Sequence, residues 1–554
     1  MPAEFEEKTV TLEEVQGEGP SLNMMLSHLK ILSQRMHVAG SAAQGEVHQY
    51  LVSQIQEMGY QPIVESYSLT PYQIYEIEKT HRNHQDDVYD EAEIRDYADM
   101  PDDQETLDLK NVLVQLDAPG TDRGVLIMAH YDSVKFGPGA SDDLISVTAL
   151  MESLRNLSGK ELKNDLYFLF TDGEEQGLLG AACFVDAHPE LKDRLAFVVN
   201  IESRGQRGAL LMFETTQNNL GLMDVYNQGV PQKVSFSIAT AVYQMMSNDT
   251  DLSEFMLAGY PGLNFACIEG AEVYHTENDT FEGIDRNTAY HYLNTATQFT
   301  EYLATAELPD VTSTQDAVFF PLTSGNLVIM SATTAQILGF VAAALGILTI
   351  ALLCVKRRIR LRALLQAALL QIGLIGGFFL ICWGIVRIAI SSAGLTTMRE
   401  YLTWAGSTPL FLILMAAGIL ILGALMILLC RKSLSPAEKM AGMLPLLILG
   451  SIGLAIGFNA ASYLFSIPLA LLSIDLMLYT LLPKGNAIIA GIGAVLFTLI
   501  VLLLYVPIAY LFYIAMALPM APVAIAFGMI PITISACCFS TLFRWEPKPT
   551  HAEA

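Results

Sequence analysis

The sequence has few cysteines, and their spacing excludes the two structures that cysteines most often build. Only seven occur among 554 residues, and no two of them have the CxxC spacing of a metal-binding or redox pair. Cys183 and Cys267 lie in the polar part of the chain, and the other five lie in apolar segments. We therefore predict neither a disulfide framework nor a cysteine zinc site.

Basic residues are also scarce, and their distribution divides the chain. There are 31 Lys/Arg against 57 Asp/Glu, a formal net charge of −26. Residues 331–554 carry 13 and 5 of these, a net of +8, which leaves residues 1–330 with 18 and 52, a net of −34. A domain this acidic repels a phosphate backbone, so we expect no nucleic-acid partner. The acidic stretch at about residues 76–108 is predicted to be an exposed insertion.

Long apolar runs are confined to the second part and predict insertion into a lipid bilayer through seven or eight helices. The predicted spans are residues 335–355, 363–390, 408–430, 441–459, 461–482, 486–507 and 520–543, with 508–518 as a candidate eighth. The basic loop VKRRIRLR after the first span belongs in the cytoplasm, which places the soluble domain on the extracytoplasmic side. The first fifteen residues lack the pattern of a signal peptide, so we expect that a further N-terminal span precedes Met1 or has been removed.

The acidic part alternates between strand and helix patterns. Strands are predicted at residues 61–69, 111–116, 124–133, 166–170, 195–203 and 262–268, with helical patterns between most of them. This alternation predicts an α/β fold with a mixed, largely parallel sheet sandwiched by helices. In such a sheet ligands bind beyond the carboxyl ends of the strands.

Two adjacent carboxylates follow one of these strands. The apolar run Leu166–Phe170 is followed by a turn at Asp172-Gly173 and then by Glu174 and Glu175. Adjacent side chains on a turn diverge, so the two can serve different partners. A metal enzyme needs one carboxylate to hold the metal and another to accept a proton from the water that the metal activates. An isolated pair of this kind is more often a solvated turn, so its neighbours decide the interpretation.

Other strand ends and loops supply residues of the same chemistry. In AHYDS, Asp132 follows His130 by two residues and can accept the N–H of its ring. The small-residue loop GASDD delivers Asp142 at a helix start, the strand LAFVVNIES ends near Glu202, and the loop YHTENDT offers His275. Together these residues predict a metal site at one edge of the sheet.

This set of motifs closely resembles the zinc-dependent aminopeptidase family, metallopeptidase family twenty-eight. HYDS, GASDD, FTDGEEQGLLGA, NIES and YHTENDT occur in the family's order over about residues 110–305. The pattern NIESRGQRGALLMFET, followed by SNDTDLSEF and a multi-span tail, is similar to the membrane-anchored branch, which includes vacuolar membrane protease and endoplasmic reticulum metallopeptidase. The resemblance implies removal of N-terminal residues from a peptide substrate with the help of two zinc ions.

The resemblance also implies a role for each matching residue. The implied metal ligands are His130, Asp142, Glu175, Glu202 and His275, with Asp142 bridging the two ions. The implied catalytic residues are Glu174 as general base, Asp132, and Tyr274 beside the oxyanion. A cis peptide bond is implied after Asp142. Soluble members of the family carry Asp where this chain has Glu202, so the second zinc site is the less secure of the two.

The predicted domain order is a zinc peptidase domain at residues 1–309, a β-hairpin linker at 310–332, a transmembrane domain at 333–545 and a tail at 546–554. Three alternative functions stay open. One is a glutaminyl-cyclase-like transferase with one zinc ion, and another is a non-catalytic receptor or scaffold, against which Glu174 argues. The third is a transporter with an accessory peptidase, which only Asp475 within a predicted span indicates. The oligomeric state is not predicted.

Overall fold

A computed structural model describes residues 20–542, with gaps at residues 82–88, 122, 247, 324, 398–399, 402, 405–433 and 482–486. The chain forms two compact units. One comprises Met1–Asp316 with Pro321–Ile329, and the other comprises Ala317–Phe320 with Met330–Ala554.

The first unit is built on a seven-stranded sheet in the order β1-β2-β4-β3-β5-β7-β6. Its strands are β1 Ile63–Leu69, β2 Leu107–Leu116, β3 Gly124–His130, β4 Asp165–Thr171, β5 Leu195–Ser203, β6 Arg207–Thr215 and β7 Gly262–Glu269. The four strands β4, β3, β5 and β7 are parallel, whereas β2 and β6 run antiparallel to their neighbours. The mixed, largely parallel sheet is therefore confirmed. Strand β6 was not predicted.

Among the residues that the structure describes, ten helices accompany the sheet. They are α1 Leu22–Leu32, α2 Ala42–Glu57, α3 Pro71–His81, α4 Glu91–Tyr97, α5 Ile145–Leu157, α6 Leu179–Ala187, α7 Leu220–Gly229, α8 Ser237–Tyr243, α9 Asp251–Leu257 and α10 Arg286–Thr305. Polar side chains define several of their starts. Ser21 and Ser41 accept from the backbone N–H groups of Met24 and Gln44, and Asp285 caps α10 in the same way.

Helices cover both faces of the central strands, which explains why these strands read as unbroken apolar runs. Every residue of β3 and β4 is buried. Successive side chains of a strand point to opposite faces. Leu126 and Met128 of β3 pack in one cluster with Phe184 of α6 and Phe255 of α9. Helix α5 packs against β3 and β5, and α10 packs against α5 and β6.

The acidic stretch is only partly the exposed insertion that was predicted. Helices α3 and α4 flank the gap at residues 82–88, and the carboxylates of α4 are exposed. However, Ile94, Ala98 and Met100 are buried in a cluster with Ile74 and Leu107. The correction has a simple physical reason: apolar side chains occur among the acids, Ile94 within α4 and Ala98 and Met100 just after it, and these can be buried against α3 and β2.

The second unit contains five described helices long and apolar enough to cross a membrane. They are Ala332–Val355, Leu361–Ala393, Ala437–Gly457, Tyr463–Leu481 and Val495–Ala515. Ahead of them, residues 316–331, for which a hairpin was predicted, form the paired strands β8 Ala317–Thr323 and β9 Asn326–Ser331.

The predicted spans agree with these helices in part. The span at residues 408–430 lies outside the described residues. The three segments predicted at 486–507, 508–518 and 520–543 are one continuous helix, Ala487–Leu542. Pro507 and Pro519, at the edges of residues 508–518, do not end the helix, because proline removes one hydrogen bond and kinks a helix that its neighbours can still hold together in a membrane. Asp475 is buried in Tyr463–Leu481, and no residue in the described part of the chain forms an ion pair with it.

Candidate metal centre

The centre begins at His130, the last residue of β3. Its ring is fully buried, and its Nε2 lies 3.4 Å from Asp142 Oδ1 and 3.5 Å from Glu202 Oε2. The other ring nitrogen, Nδ1, lies 3.4 Å from Asp132 Oδ1. Nε2 of His130 thus faces the carboxylates of Asp142 and Glu202. Nδ1 faces Asp132, the residue that was predicted to accept the N–H of the ring.

Asp132 also fixes the turn that carries the glutamate pair. Its Oδ1 accepts from the backbone N–H of Glu174 at 3.1 Å, and its Oδ2 accepts from that of Glu175 at 3.2 Å. Since Asp132 is buried, these bonds couple the end of β3 to the turn after β4. A single carboxylate therefore sets the positions of His130, Glu174 and Glu175 relative to one another.

Asp142 is presented by a distorted turn, Ala140–Leu144, just before α5. The peptide bond from Asp142 to Asp143 is cis, as the family resemblance implied. Gly139 precedes the turn with φ +63°, and a Cβ there would lie 2.7 Å from the carbonyl oxygen of Asp142. Glycine is therefore required at this position by both conformation and space.

Asp279 holds this turn from the other side. Its Oδ1 accepts from the backbone N–H of Ser141 at 2.8 Å and from the Ser141 hydroxyl at 2.6 Å, and its Oδ2 accepts from the backbone N–H of Asp142 at 3.1 Å. Asp279 is 2% exposed. Asp279 lies in the motif YHTENDT, of which only Tyr274 and His275 were predicted to have a role.

Glu202 enters from the end of β5 and is held through a buried polar chain. Asn200 donates to Glu202 Oε1 at 3.3 Å and to Asn264 Oδ1 at 3.1 Å. Asn264 in turn donates to Glu214 and Thr250. Adjacent strands β5, β7 and β6 supply Asn200, Asn264 and Glu214, and Thr250 precedes α9, so the sheet orients the Glu202 carboxylate.

His275 completes the cluster from the loop after β7. Its Nε2 lies 3.0 Å from Glu175 Oε2 and 3.3 Å from Asp142 Oδ2. The backbone of His275 has φ +57°, a conformation that costs free energy for a residue with a Cβ and that is found most often at functional sites. The ring of Tyr274 stacks on that of His275 with centroids 3.7 Å apart.

The donor atoms of these side chains form overlapping groups whose members lie within 4.8 Å of one another. The groups are His130 with Asp142 and Glu202, Asp142 with Glu175 and His275, and His130 with Glu174 and Glu175. Asp142 belongs to the first two and contributes a different oxygen to each histidine. The structure thus brings together all five residues predicted as metal ligands, together with Glu174, Asp132 and Tyr274.

The cluster fits divalent zinc. It combines imidazole nitrogens with carboxylate oxygens, which are zinc's usual ligands together with thiolate. Asp142 Oδ2 and Glu175 Oε1 are buried and accept no hydrogen bond from any residue in the described part of the chain. Buried carboxylates at this density require a cation, because each unpaired charge in a protein interior is costly.

The same crowding changes the proton affinities of the site. Burial raises the pKa of Glu174 well above its ordinary value of 4.5, with His130 opposing the rise and Glu202 and Glu175 adding to it. Burial also raises the pKa of Glu175 to about 7, with Asp142 adding to the rise. A carboxylate whose pKa approaches the working pH is suited to accept and return a proton.

A second residue missed by the sequence analysis lies behind the cluster. Asp251, at the start of α9, is buried and accepts a hydrogen bond from the hydroxyl of Thr171 at the end of β4. Burial raises the pKa of Asp251 to about 7. The stretch SNDTDLSEF was noted for its pattern, but its acidic residues were given no role.

Comparison with known proteins agrees with this chemistry. Residues 111–300 match the family model described as Peptidase family M28. A vacuolar membrane protease of Eremothecium gossypii is 28% identical over 317 residues, which is 55% of this chain and 29% of that protein. The human endoplasmic reticulum metallopeptidase 1 is 32% identical over 206 residues, 36% of this chain and 23% of its own length. The chain therefore spans less than a third of each of these relatives.

Solved structures with low sequence identity also align with about half of this chain. An aminopeptidase from Aneurinibacillus sp. strain AM-1 is 16% identical, with a TM-score of 0.40 over 52% of this chain and 95% of that chain. A glutaminyl cyclase from Fimbriiglobus ruber is 13% identical, with a TM-score of 0.38 over 52% of this chain and 96% of that chain.

Proposed function

Because residues 111–300 form a domain of peptidase family M28, we propose that the chain is a membrane-anchored di-zinc aminopeptidase that hydrolyses N-terminal residues from peptides. The observation that carries the proposal is the position of Asp142. Its two oxygens lie 3.4 Å from His130 Nε2 and 3.3 Å from His275 Nε2, so one carboxylate reaches both histidine groups. Such sharing is the arrangement that two adjacent metal ions require.

Five residues would hold the ions. His130 and Glu202 would serve one, Glu175 and His275 the other, and Asp142 both. When bound, zinc lowers the pKa of water and polarises a carbonyl group.

The chain's own residues supply proton transfer and positioning. Glu174 accepts the proton of the attacking water and returns it to the leaving amine, a transfer favoured by a pKa raised by burial. Asp132 keeps Glu174 in place through its backbone N–H. Tyr274, which stacks on His275, would donate its hydroxyl to the oxygen of the scissile carbonyl.

Removal of terminal residues is favoured over internal cleavage by the charge of the site. The first part of the chain carries a net charge of −34, and the cluster itself is rich in carboxylates. A peptide's free α-ammonium group is attracted to such surroundings, whereas an internal peptide segment has no matching cation.

The proposal is tested by substituting Glu174 with Gln in the full-length protein. Zinc content and the hydrolysis of a panel of aminoacyl p-nitroanilides are measured on wild type and variant. We expect unchanged zinc content and a loss of kcat by roughly 10²–10⁴-fold, the usual contribution of a general acid–base group. Glu277→Gln, in an exposed position of the His275 loop, is the matched control and keeps full activity.

Three results would overturn the proposal. Glu174→Gln turnover within tenfold of wild type would remove Glu174 from the reaction. A wild type that binds no zinc and cleaves nothing would favour the scaffold alternative. Cyclisation of N-terminal Gln without peptide hydrolysis would favour the transferase.

We further propose that the peptidase domain lies on the extracytoplasmic side. The loop between helices Ala332–Val355 and Leu361–Ala393 carries Lys356, Arg357, Arg358 and Arg360, and positively charged loops stay in the cytoplasm. An extracytoplasmic domain is digested when protease is added to intact cells. Protection of the domain until the membrane is permeabilised would reverse the assignment.

A further inference from the structure

Arg204 emerges beside the metal cluster from a rigid part of the sheet. It follows Glu202 by two residues, directly after β5. Its backbone N–H donates to the carbonyl oxygen of Cys267 in β7 at 2.9 Å, which extends the pairing of these strands. At the next residue, Gly205, an added Cβ would lie 2.2 Å from Glu269 O, so the backbones are in close contact. The side chain of Arg204 therefore starts from a fixed point.

The guanidinium group points towards the proposed catalytic residues. Its central carbon lies 5.3 Å from the centroid of the Tyr274 ring. Tyr274 in turn stacks on His275, and His275 contacts Glu175 and Asp142. The guanidinium of Arg204, the phenol of Tyr274 and the imidazole of His275 thus lie in a row. One aromatic ring, that of Tyr274, separates the positive charge from the proposed metal ligand His275.

The guanidinium lacks a carboxylate partner within the part of the chain that the structure describes. Its Nε is buried, and none of the described residues accepts a hydrogen bond from it. Two other arginines of this acidic unit have carboxylate partners: Arg207 with Glu272 at 2.7 Å, and Arg194 with Asp165 at 2.9 Å. Native proteins satisfy nearly all buried donors, so a buried unpaired N–H inside a reaction site indicates that a ligand supplies the acceptor.

We propose that Arg204 binds a carboxylate of the peptide substrate on the leaving-group side of the scissile bond. This inference rests on the proposed aminopeptidase function and specifies its substrate class. The planar guanidinium binds a carboxylate through two parallel hydrogen bonds. Consecutive Cα atoms are about 3.8 Å apart. A carboxylate on the residue directly after the scissile bond can therefore extend from His275 past the Tyr274 ring to the guanidinium of Arg204. The preferred substrates are dipeptides, whose terminal α-carboxylate lies at this position, or peptides with an acidic residue there.

Matched substrates test the proposal on the full-length, zinc-loaded protein. Leu-Gly is compared with Leu-Gly-amide, which lacks the terminal charge, and with Leu-Asp-amide, which carries the charge on a side chain. We expect wild-type kcat/KM to be about 10- to 100-fold higher for Leu-Gly than for Leu-Gly-amide, the range of one charge-assisted hydrogen-bonded contact. In Arg204→Met this ratio falls to about one. Arg207→Met, an exposed arginine three residues later, keeps the wild-type ratio.

The third substrate separates the two sources of the carboxylate. If wild-type kcat/KM is higher for Leu-Asp-amide than for Leu-Gly-amide, and this difference is lost in Arg204→Met, Arg204 also binds the side-chain carboxylate. If Leu-Asp-amide behaves like Leu-Gly-amide in both proteins, Arg204 reads the terminal α-carboxylate alone. Both results support the proposal.

A binding measurement keeps the test independent of turnover. Glu174→Gln is titrated with Leu-Gly and with Leu-Gly-amide by calorimetry, and the titration is repeated on the double variant with Arg204→Met. We expect the affinity for Leu-Gly to fall about 10- to 100-fold in the double variant, while its ratio to the amide affinity approaches one.

The proposal is overturned if the wild-type protein does not distinguish Leu-Gly from Leu-Gly-amide. It is also overturned if Arg204→Met lowers kcat/KM equally for both substrates, because Arg204 then acts only by supporting Tyr274. Failure of the proposed function gives a different pattern. In that case wild type cleaves none of the three substrates, while the calorimetric comparison still decides whether Arg204 binds carboxylates.

Discussion

Replacing Asp279 with Asn tests whether a residue that binds no metal determines metal affinity. Asp279 is 2% exposed and accepts four hydrogen bonds: at 2.6 and 2.8 Å from the hydroxyl and backbone N–H of Ser141, at 3.1 Å from the backbone N–H of Asp142, and at 3.4 Å from the side-chain amide of Gln206. The Asn side chain keeps one oxygen but turns an NH₂ group towards a donor. Two donors then face each other, and the turn that presents Asp142 loses its support.

The expected loss follows from those contacts. A hydrogen bond to a charged group contributes about 1.5–3 kcal/mol, and contributions within one network do not add. We therefore expect Asp279→Asn to lower the free energy of unfolding of this domain by roughly 2–4 kcal/mol. Loss of a residue that orients a metal ligand typically lowers metal affinity about 10- to 100-fold. The affected ligand is Asp142, so we expect binding of both ions to weaken.

Two measurements on detergent-solubilised protein check these values. Competition with a chromophoric chelator gives the zinc affinity, and differential scanning fluorimetry gives the thermal midpoint. Glu277→Gln removes a charge two residues away at an exposed position and serves as control. The reasoning is refuted if Asp279→Asn binds zinc within threefold of the control and unfolds at the same temperature.

Two further substitutions test the site and the core. Glu202→Gln removes one charged ligand from the group with His130 and Asp142, so we expect zinc content after dialysis to fall from two ions per chain to one; two retained ions would exclude Glu202 as a ligand. Phe184→Ala empties a fully buried position between α6 and α9 and should lower the free energy of unfolding by about 3–5 kcal/mol, seen as a reduced thermal midpoint. Phe136→Ala, at a side chain that is 59% exposed, is its control and should change stability by less than about 0.5 kcal/mol.

Much of the fold follows from local patterns in the sequence. The unbroken apolar runs of β3 and β4 predicted strands covered on both faces, and every residue of both strands is buried. The antiparallel edge strand β6 was missed. Its first three residues, Arg207 to Ala209, are not buried, and its sequence lacks a regular two-residue alternation. Its pairing with β7, which begins 47 residues after β6 ends, identifies it as a strand.

The packing of the acidic stretch also required tertiary structure. Net charge predicted exposure over residues 76–108. Three apolar side chains, Ile94, Ala98 and Met100, instead add to a buried cluster with partners on α3 and β2. Average composition over a segment conceals such residues, because burial depends on which individual side chains meet apolar partners on other elements.

The sequence by itself determined the chemistry of this protein: imidazoles and carboxylates at strand ends, a tandem glutamate after a buried strand, and apolar runs of membrane-spanning length. Only the tertiary structure decided which atoms meet. The strand order places β3 between β4 and β5, so His130 reaches Glu202, and the loop after β7 returns His275 to Glu175. The contacts of Asp279 and the position of the Arg204 guanidinium beside Tyr274 likewise depend on long-range packing, which no local periodicity encodes.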